Sequence, residues 1–160
     1  MEELEPVDQV DLERFMGDWY VIAHIPTFIE DEAHNAIERY ELVGSDKVET
    51  TFSFNNKSFN GEFKEYNPTG FVRPDTGNAI WGMQFIWPFK GDYRIAYLSD
   101  DYSETIIARN KRDYVWIMAR DPIIPEAVYN RLVDEVKAMG YSLEDLRKVP
   151  QQASVDRDSQ

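Results

Sequence analysis

Few side chains in this sequence have the type and the spacing that catalysis or metal binding requires. The 160 residues include two histidines, His24 and His34, and no cysteine. His24 shares its parity along an apolar segment with Tyr20 and Ile22, which predicts that it faces outward. His34 ends the acidic run at residues 30–34, which could hold a metal ion. Its spacing matches no zinc site, and a solvated acidic loop is the favoured interpretation.

The sequence gives little support for general acid–base or nucleophilic catalysis either. Asp100 and Asp101 are neighbours in a predicted loop, where their carboxyl groups point apart. The chain has no phosphate-binding glycine loop and no nucleophile motif for a Ser–His–Asp triad. A reactive group would have to be an inward-facing tyrosine or a buried acid such as Glu38. The sequence therefore predicts a protein that is not an enzyme and that uses no cofactor or metal ion.

The charge of the chain limits the partners that it could bind. With 17 basic and 30 acidic residues, the net charge is -13. Nucleic acid is excluded as a partner, because phosphate binding needs clustered lysine and arginine. Docking on anionic lipid is disfavoured for the same reason. Solubility explains the charge most simply, and attraction of cationic ligands is the alternative.

Length and composition are those of one domain. Residues 1–10 are acidic and without periodicity, which predicts a mobile arm, and residues 11–150 are expected to form the domain. Residues 151–160 are polar and are expected to be disordered. The sequence shows no apolar run long enough for a membrane helix, no signal peptide and no cysteine for a lipid anchor. It does not indicate the oligomeric state.

Between Trp19 and Arg120 short apolar segments alternate with turn residues, which predicts strands. The expected strands lie at residues 19–25, 37–43, 48–55, 62–66, 79–87, 93–99, 105–109 and 114–120. This even spacing is typical of an antiparallel meander or barrel. Closure into a barrel would remove the exposed edges that a flat sheet must protect.

The pattern becomes helical after the last strand. Apolar residues recur at the helical period between Val128 and Met139, Pro125 suits the first turn, and Gly140 suits the end. The apolar stripe of this helix needs a partner, which the outer face of a barrel supplies. The predicted fold class is therefore all-β: an eight-stranded antiparallel up-and-down barrel with an N-terminal helical turn and one C-terminal α-helix packed outside.

The alternation along the strands predicts what lies inside the barrel. Successive side chains point to opposite faces of a strand, and in four strands one face is aromatic or contains methionine. The inward residues predicted to bind a ligand are Phe52, Phe54, Trp81, Met83, Phe85, Trp87, Tyr93, Ile95, Tyr97, Tyr114, Trp116 and Met118. They could form a plain packed core, but their hydroxyl and indole N–H groups find partners more easily around a cavity.

Two distant motifs resemble the lipocalin signature. Gly17-x-Trp19 opens the first strand, and Arg120 ends the last one. Three segments are similar to bacterial outer-membrane lipoprotein lipocalins, and also to plant temperature-induced lipocalins and apolipoprotein D, at residues 17–23, 87–89 and 112–120. In this family the tryptophan lies at the closed end of the barrel and the arginine packs across it. The resemblance therefore assigns Gly17, Trp19 and Arg120 to closing the barrel.

The resemblance implies a container for a small apolar or amphiphilic molecule. The expected function is binding and transport or storage of a fatty acid, a lysophospholipid or a similar lipid. Its head would lie near the open end, among residues 30–34 and Arg73. An isomerase or hydrolase on the same barrel, and an interaction protein with a filled barrel, remain alternatives. The family also implies a periplasmic, outer membrane-associated location through a lipid anchor, although this chain shows neither leader nor anchoring cysteine.

Overall fold

Antiparallel β-strands are the main secondary structure in the computed structural model, which describes residues 2–27, 30, 32–86 and 89–153. The strands of this part of the chain are β1 (Gly17–Ile25), β2 (Ala33–Val43), β3 (Lys47–Asn56), β4 (Phe63–Tyr66), β5 (Thr69–Val72), β6 (Ile80–Ile86), β7 (Phe89–Leu98), β8 (Glu104–Ala108), β9 (Val115–Ala119) and β10 (Arg147–Lys148). The helices are α1 (Leu12–Phe15) and α2 (Glu126–Ala138).

The sheet closes on itself, because β1 pairs with both β2 and β9. β4 and β5 share one position in the barrel, since β3 pairs with β5 along its first residues and with β4 along its last ones. The closed sheet therefore has eight positions, and β10 is added at the edge of β1. The predicted eight-stranded antiparallel barrel with a helical turn before it and a helix after it is confirmed.

A proline divides one barrel strand into β4 and β5. The pattern at residues 67–70 predicted a turn after a single short strand, but β5 begins at Thr69. Pro68 has no backbone N–H to continue the ladder. Its carbonyl still accepts a hydrogen bond of 3.0 Å from the Thr50 backbone N–H, so the chain stays beside β3.

Irregularities in two strands change which side chains face inward. The register of β1 shifts between Val21 and Ala23, and that of β7 shifts between Ile95 and Tyr97. A one-residue shift moves every following side chain to the other face. Tyr97 accordingly packs with the residues outside the barrel, which corrects its predicted inward orientation. His24, predicted to face outward, is buried beside Glu30.

Two apolar cores lie on opposite sides of the sheet. The inner core fills the lower barrel and includes Phe15, Trp19 and Trp81. The outer core lies between the sheet and α2, where Leu132 and Val136 are fully buried. Both faces of β1, β8 and β9 are covered as a result. In the described part of the chain, neither helix combines the length and the apolar content that crossing a bilayer demands.

The N-terminal residues are attached to the barrel, which differs from the mobile arm expected for residues 1–10. Leu4 and Val10 are buried. The Val7 backbone N–H donates to the Ile95 carbonyl at 2.9 Å, and the Val10 N–H donates to the Gly77 carbonyl at 2.8 Å. β6 begins only at Ile80 and does not extend along the lower part of β7. The backbone groups there are therefore available to bind the N-terminal segment.

The C-terminal segment also continues in order past residue 150. The side-chain amide of Gln151 donates to the carbonyls of Val21 and Ala36, at 2.9 Å each. The β1–β2 ladder stops at Tyr20, so these carbonyls on the two strands have no partner in the ladder. Residues up to 153 therefore do not fit the predicted disordered tail, and residues 154–160 lie outside the described residues.

Candidate functional site

A tryptophan–arginine pair closes the lower end of the barrel. The Arg120 guanidinium lies 3.8 Å from the centre of the Trp19 ring, a cation–π arrangement. It donates hydrogen bonds to the carbonyls of Asp18 at 2.8 Å and of Arg14 and Met16 at 2.9 Å each. The last strand is thereby tied to the turn before the first strand.

Gly17 supplies the backbone conformation that leads into β1. Its φ of +97° belongs to the region that side-chain-bearing residues rarely adopt. A Cβ atom there would make only an ordinary contact, at 3.5 Å, with Nη1 of Arg120, so the conformation and not the space favours glycine. The Trp19 indole N–H donates to the Phe15 carbonyl at 2.9 Å, which fixes α1 beneath the barrel.

Stacked aromatic rings separate this closed end from the space above it. Trp81 meets Phe15 and Tyr40 edge to face, at centroid distances of 5.9 and 5.5 Å. The Trp81 indole N–H donates to the Asn78 carbonyl at 2.8 Å. The rings pack against one another, and the indole N–H has its hydrogen-bond partner within the protein. This aromatic layer therefore forms a packed floor beneath the space above it.

A cavity of about 290 Å³ lies above that floor. Its described lining residues are Glu30, Glu38, Phe52, Met83, Phe85, Gly91, Asp92, Tyr93, Arg109 and Trp116. Ligand pockets measure roughly 300–1,000 Å³, so the volume suits one small molecule. Phe85 is 63% exposed and marks the open side.

The predicted ligand-binding residues divide into distinct groups. Those that line the cavity are Phe52, Met83, Phe85, Tyr93 and Trp116. Those buried in the barrel without lining the cavity are Phe54, Trp81, Ile95 and Met118. Tyr114 is half-buried with its ring centroid 6.4 Å from that of Trp116, and Tyr97 lies in the outer core. Trp87 falls outside the described residues.

Glu38 is an acid inside the apolar part of the barrel. It is 8% exposed and lines the cavity. No hydrogen-bond donor of the described residues reaches its carboxyl group. Burial, reinforced by the nearby Glu30 carboxyl, raises the pKa of Glu38 to about 8. Glu38, which the sequence indicates only as a candidate reactive acid, shares its parity with the inward residues Ala36 and Tyr40 and lies in the cavity wall.

Glu30 is a second buried acid, which corrects the interpretation of residues 30–34 as a solvated loop. It is 5% exposed, and its Oε1 accepts a hydrogen bond of 2.6 Å from the Trp116 indole N–H. Nδ1 of His24 lies 3.3 Å from the same oxygen but makes no hydrogen bond within the described residues. No periodicity marks Glu30 as buried, because it lies between strands and not within one.

The tyrosine hydroxyl groups of the barrel interior bind each other. Tyr40 and Tyr93 share a hydrogen bond through their phenol oxygens. Burial, together with the charge of Glu38, raises the pKa of the Tyr93 phenol well above its usual range. A phenol that stays protonated and is already paired is poorly suited to act as a base or a nucleophile.

The rim of the cavity carries one guanidinium among the described lining residues. Arg109 pairs with Asp113 at 2.9 Å and also donates to the Asp92 carbonyl at 3.4 Å. Arg73, an expected contact of the ligand head, is exposed in an outer groove near Lys90. His34 lies in β2, where its Nδ1 is 3.1 Å from the Glu32 carbonyl oxygen, and it does not line the cavity.

The chemistry that this arrangement supports is containment. Within the described residues no three histidine, aspartate or glutamate side chains are grouped as metal ligands would be. The cavity combines aromatic and methionine walls with a few polar groups, which is the usual composition of a site for a small apolar ligand. The sequence does not indicate that two acids, Glu30 and Glu38, are buried at the same cavity.

Comparison with known proteins agrees with this geometry. Temperature-induced lipocalin-1 of Arabidopsis thaliana is 28% identical over 163 residues, covering 93% of this chain and 83% of that protein. The outer membrane lipoprotein Blc of Citrobacter freundii is 26% identical over 156 residues, covering 91% of this chain and 81% of that protein.

Solved structures show the same fold. Insecticyanin of the tobacco hornworm Manduca sexta superposes with a TM-score of 0.72 at 16% identity, over 98% of this chain and 87% of that one. Lobster apocrustacyanin A1 superposes with a TM-score of 0.71 at 13% identity, over 92% of this chain and 83% of that one. A family model described as a lipocalin-like domain matches residues 10–151. The chain therefore belongs to the lipocalin family.

Proposed function

We propose that this protein binds one small amphiphile and transports or stores it. The ligand would be a fatty acid, a lysophospholipid or a similar single-chain lipid. The observation that carries the proposal is the cavity walled by Phe52, Met83, Phe85 and Trp116 above a packed aromatic floor. Membership of the lipocalin family supports a general role in binding small hydrophobic molecules.

The walls suit an apolar chain for two physical reasons. Burial of apolar surface contributes about 25 cal/mol for each Å² removed from water. Met83 has a flexible, polarizable side chain that adapts to ligands of different shape. The open side at Phe85 lets a polar head remain in water, and Arg109 is the nearest rim cation for an anionic head.

A role without catalysis is part of the proposal. The phenols of Tyr40 and Tyr93 are paired with each other, and the described residues hold no group of metal ligands. The two relatives compared above are named as a temperature-induced lipocalin and an outer membrane lipoprotein. By analogy with the Blc lipoproteins we also propose a location at the cell envelope, which fractionation of cells that express the full-length protein would test.

The experiment that tests the carrier function has two parts. Protein purified from its natural source is extracted with organic solvent, and the extract is analysed by mass spectrometry for a stoichiometric lipid. Delipidated protein is then titrated with a fluorescent fatty acid, whose own emission reports transfer into an apolar site. Absence of both a bound lipid and a saturable signal would contradict the proposal, and turnover of the bound lipid would support an enzyme instead.

A pair of variants on one strand assigns the binding to the cavity. Met83→Trp adds bulk inside it and should weaken binding of the probe by roughly tenfold or more, a loss of about 1.4 kcal/mol. Gln84→Trp adds the same side chain at the next position of β6, which does not line the cavity, and should leave binding unchanged. Equal effects of the two changes would place the binding site elsewhere.

A further inference from the structure

We propose that the cavity binds the protonated amino group of an amphiphile between the carboxyl groups of Glu38 and Glu30. The inference rests on the proposed carrier function and narrows the class of its ligand. A lipid-like amine would enter head first, whereas a fatty acid could bind only with its carboxylate at the mouth. The two orientations follow from the charges that line the cavity.

Glu38 has a carboxyl group that no described residue of the chain binds. The side chain is more than nine-tenths buried, lines the cavity, and receives no hydrogen bond from the described residues. Buried polar groups in native proteins are almost always hydrogen-bonded. Because Glu38 lines the cavity, a ligand that donates a hydrogen bond can supply a partner that the described protein groups do not.

Two of the charged groups that line the cavity are already in ion pairs within the protein. Arg109 at the rim is paired with Asp113 at 2.9 Å. Asp92 on the same wall is paired with Arg94 at 3.1 Å. Glu30 accepts a hydrogen bond from the Trp116 indole N–H and also lies 3.3 Å from Nδ1 of His24. Glu38 is left without a cationic partner among the described residues, so a cationic head is favoured beside it.

A carboxylate head would be unfavourable at the same place. It would lie next to the Glu30 carboxyl group in a poorly hydrated space, where repulsion between like charges is strong. An ammonium group has three N–H donors, so it can bind both acids at once through charge-assisted hydrogen bonds. An alcohol could make neutral hydrogen bonds only, which are roughly half as strong.

The proton balance of binding follows from the state of Glu38. Its raised pKa keeps the carboxyl group protonated in the empty cavity near neutral pH. When an ammonium ion binds, the Glu38 O–H bond breaks, its proton passes to the solvent, and the carboxylate accepts an N–H hydrogen bond from the ligand. One proton is released for each amine bound, whereas an alcohol or a fatty acid would release none from this group.

The test compares three ligands with the same chain and different heads: dodecylamine, dodecanol and laurate. Each displaces Nile red, a neutral fluorescent probe, from delipidated protein at pH 7, below the critical micelle concentrations. We expect dodecylamine to bind roughly tenfold more tightly than the other two, a factor that corresponds to about 1.4 kcal/mol. Calorimetry in buffers of different ionisation enthalpy should show nearly one proton released for each dodecylamine bound.

Two variants on β2 distinguish the effect of Glu38 from the effect of the overall negative charge of the protein. Glu38→Gln should remove both the preference for the amine and the release of the proton, while Nile red still binds. Glu41→Gln removes one acid from an exposed position of the same strand and should change neither property. Circular dichroism and the Nile red signal check that both variants are folded.

The outcomes distinguish the two proposals. If none of the ligands and no Nile red binds, the carrier function itself is wrong. If Nile red, dodecanol and laurate bind but the amine is not preferred, the carrier function stands and the amine subsite is overturned. Proton release measured on the wild-type protein decides the question even if Glu38→Gln fails to fold.

Discussion

The indole N–H of Trp116 donates a hydrogen bond of 2.6 Å to Oε1 of Glu30, across 86 residues of sequence. This contact joins β9 to the segment between β1 and β2, and both residues line the cavity. The wall of the cavity is therefore held by a polar bond as well as by apolar packing.

Replacement of Trp116 by phenylalanine should weaken the protein, because it removes the donor and leaves the Glu30 carboxyl group buried without its partner. We expect the free energy of unfolding to fall by about 1–3 kcal/mol, measured by urea denaturation. Glu30→Leu in the Trp116→Phe background removes the stranded carboxyl group and should restore part of the loss. Strictly additive effects of the two changes would show that the residues do not interact.

Trp19→Ala tests the closed end of the barrel. The change removes a fully buried ring together with the stacking surface of Arg120. We expect a loss of roughly 3–5 kcal/mol in the free energy of unfolding, the range for truncation of a large buried side chain. Ile123→Ala, at a position that is 60% exposed, serves as the control and should change stability by about 0.5 kcal/mol at most. An unchanged melting temperature of Trp19→Ala would contradict a structural role of the ring.

The sequence was sufficient to predict the barrel because the signals that define it are periodic. Strand alternation, turn residues and the Gly17-x-Trp19 motif with Arg120 all depend on local spacing, and the structure has a strand at or near each predicted position, with β5 added where a turn was expected. The orientation of Tyr97 and His24 was not predictable in the same way. Each follows a one-residue irregularity, which inverts the faces without altering the apolar composition of the segment.

The candidate site could likewise be predicted from the sequence only in part. Aromatic positions such as Phe52 and Trp116 could be named from alternation, because strands impose a period of two. Whether an inward ring joins the packed floor, as Trp81 does, or lines the cavity depends on how the barrel ends are filled. Glu30 enters the cavity from between two strands, where no period applies. Its burial depends on long-range partners, Trp116 and His24, that only the folded chain brings together.

Gln151→Ala tests whether the C-terminal segment holds the upper barrel together. The amide of Gln151 satisfies the carbonyls of Val21 and Ala36, which lie beyond the end of the β1–β2 ladder. Loss of both bonds should lower stability by about 1–3 kcal/mol and should speed amide hydrogen exchange in β1 and β2. Gln9→Ala, at an exposed position, is the matched control and should leave exchange in these strands unchanged.

The pH dependence of stability should carry the signature of Glu38. Its pKa is about 8 in the folded protein, raised by burial and by Glu30, and about 4.5 when it is exposed. Between these values the folded protein holds a proton that the unfolded chain has lost, so the free energy of unfolding falls as the pH rises. The slope reaches about 1.4 kcal/mol per pH unit, and the contribution is constant below pH 4.5 and above about pH 8.

Glu38→Gln isolates this contribution from the other groups that face the residue, which are Glu30 and Tyr93, and from nearby His24. Glutamine does not titrate, so the variant should show a smaller decrease in stability from pH 4.5 to 8 than the wild type. The measurement is urea denaturation at half-unit pH intervals, with Glu41→Gln as the control on the same strand. Parallel stability curves for wild type and Glu38→Gln would show that the carboxyl group titrates normally and is not held protonated inside the barrel.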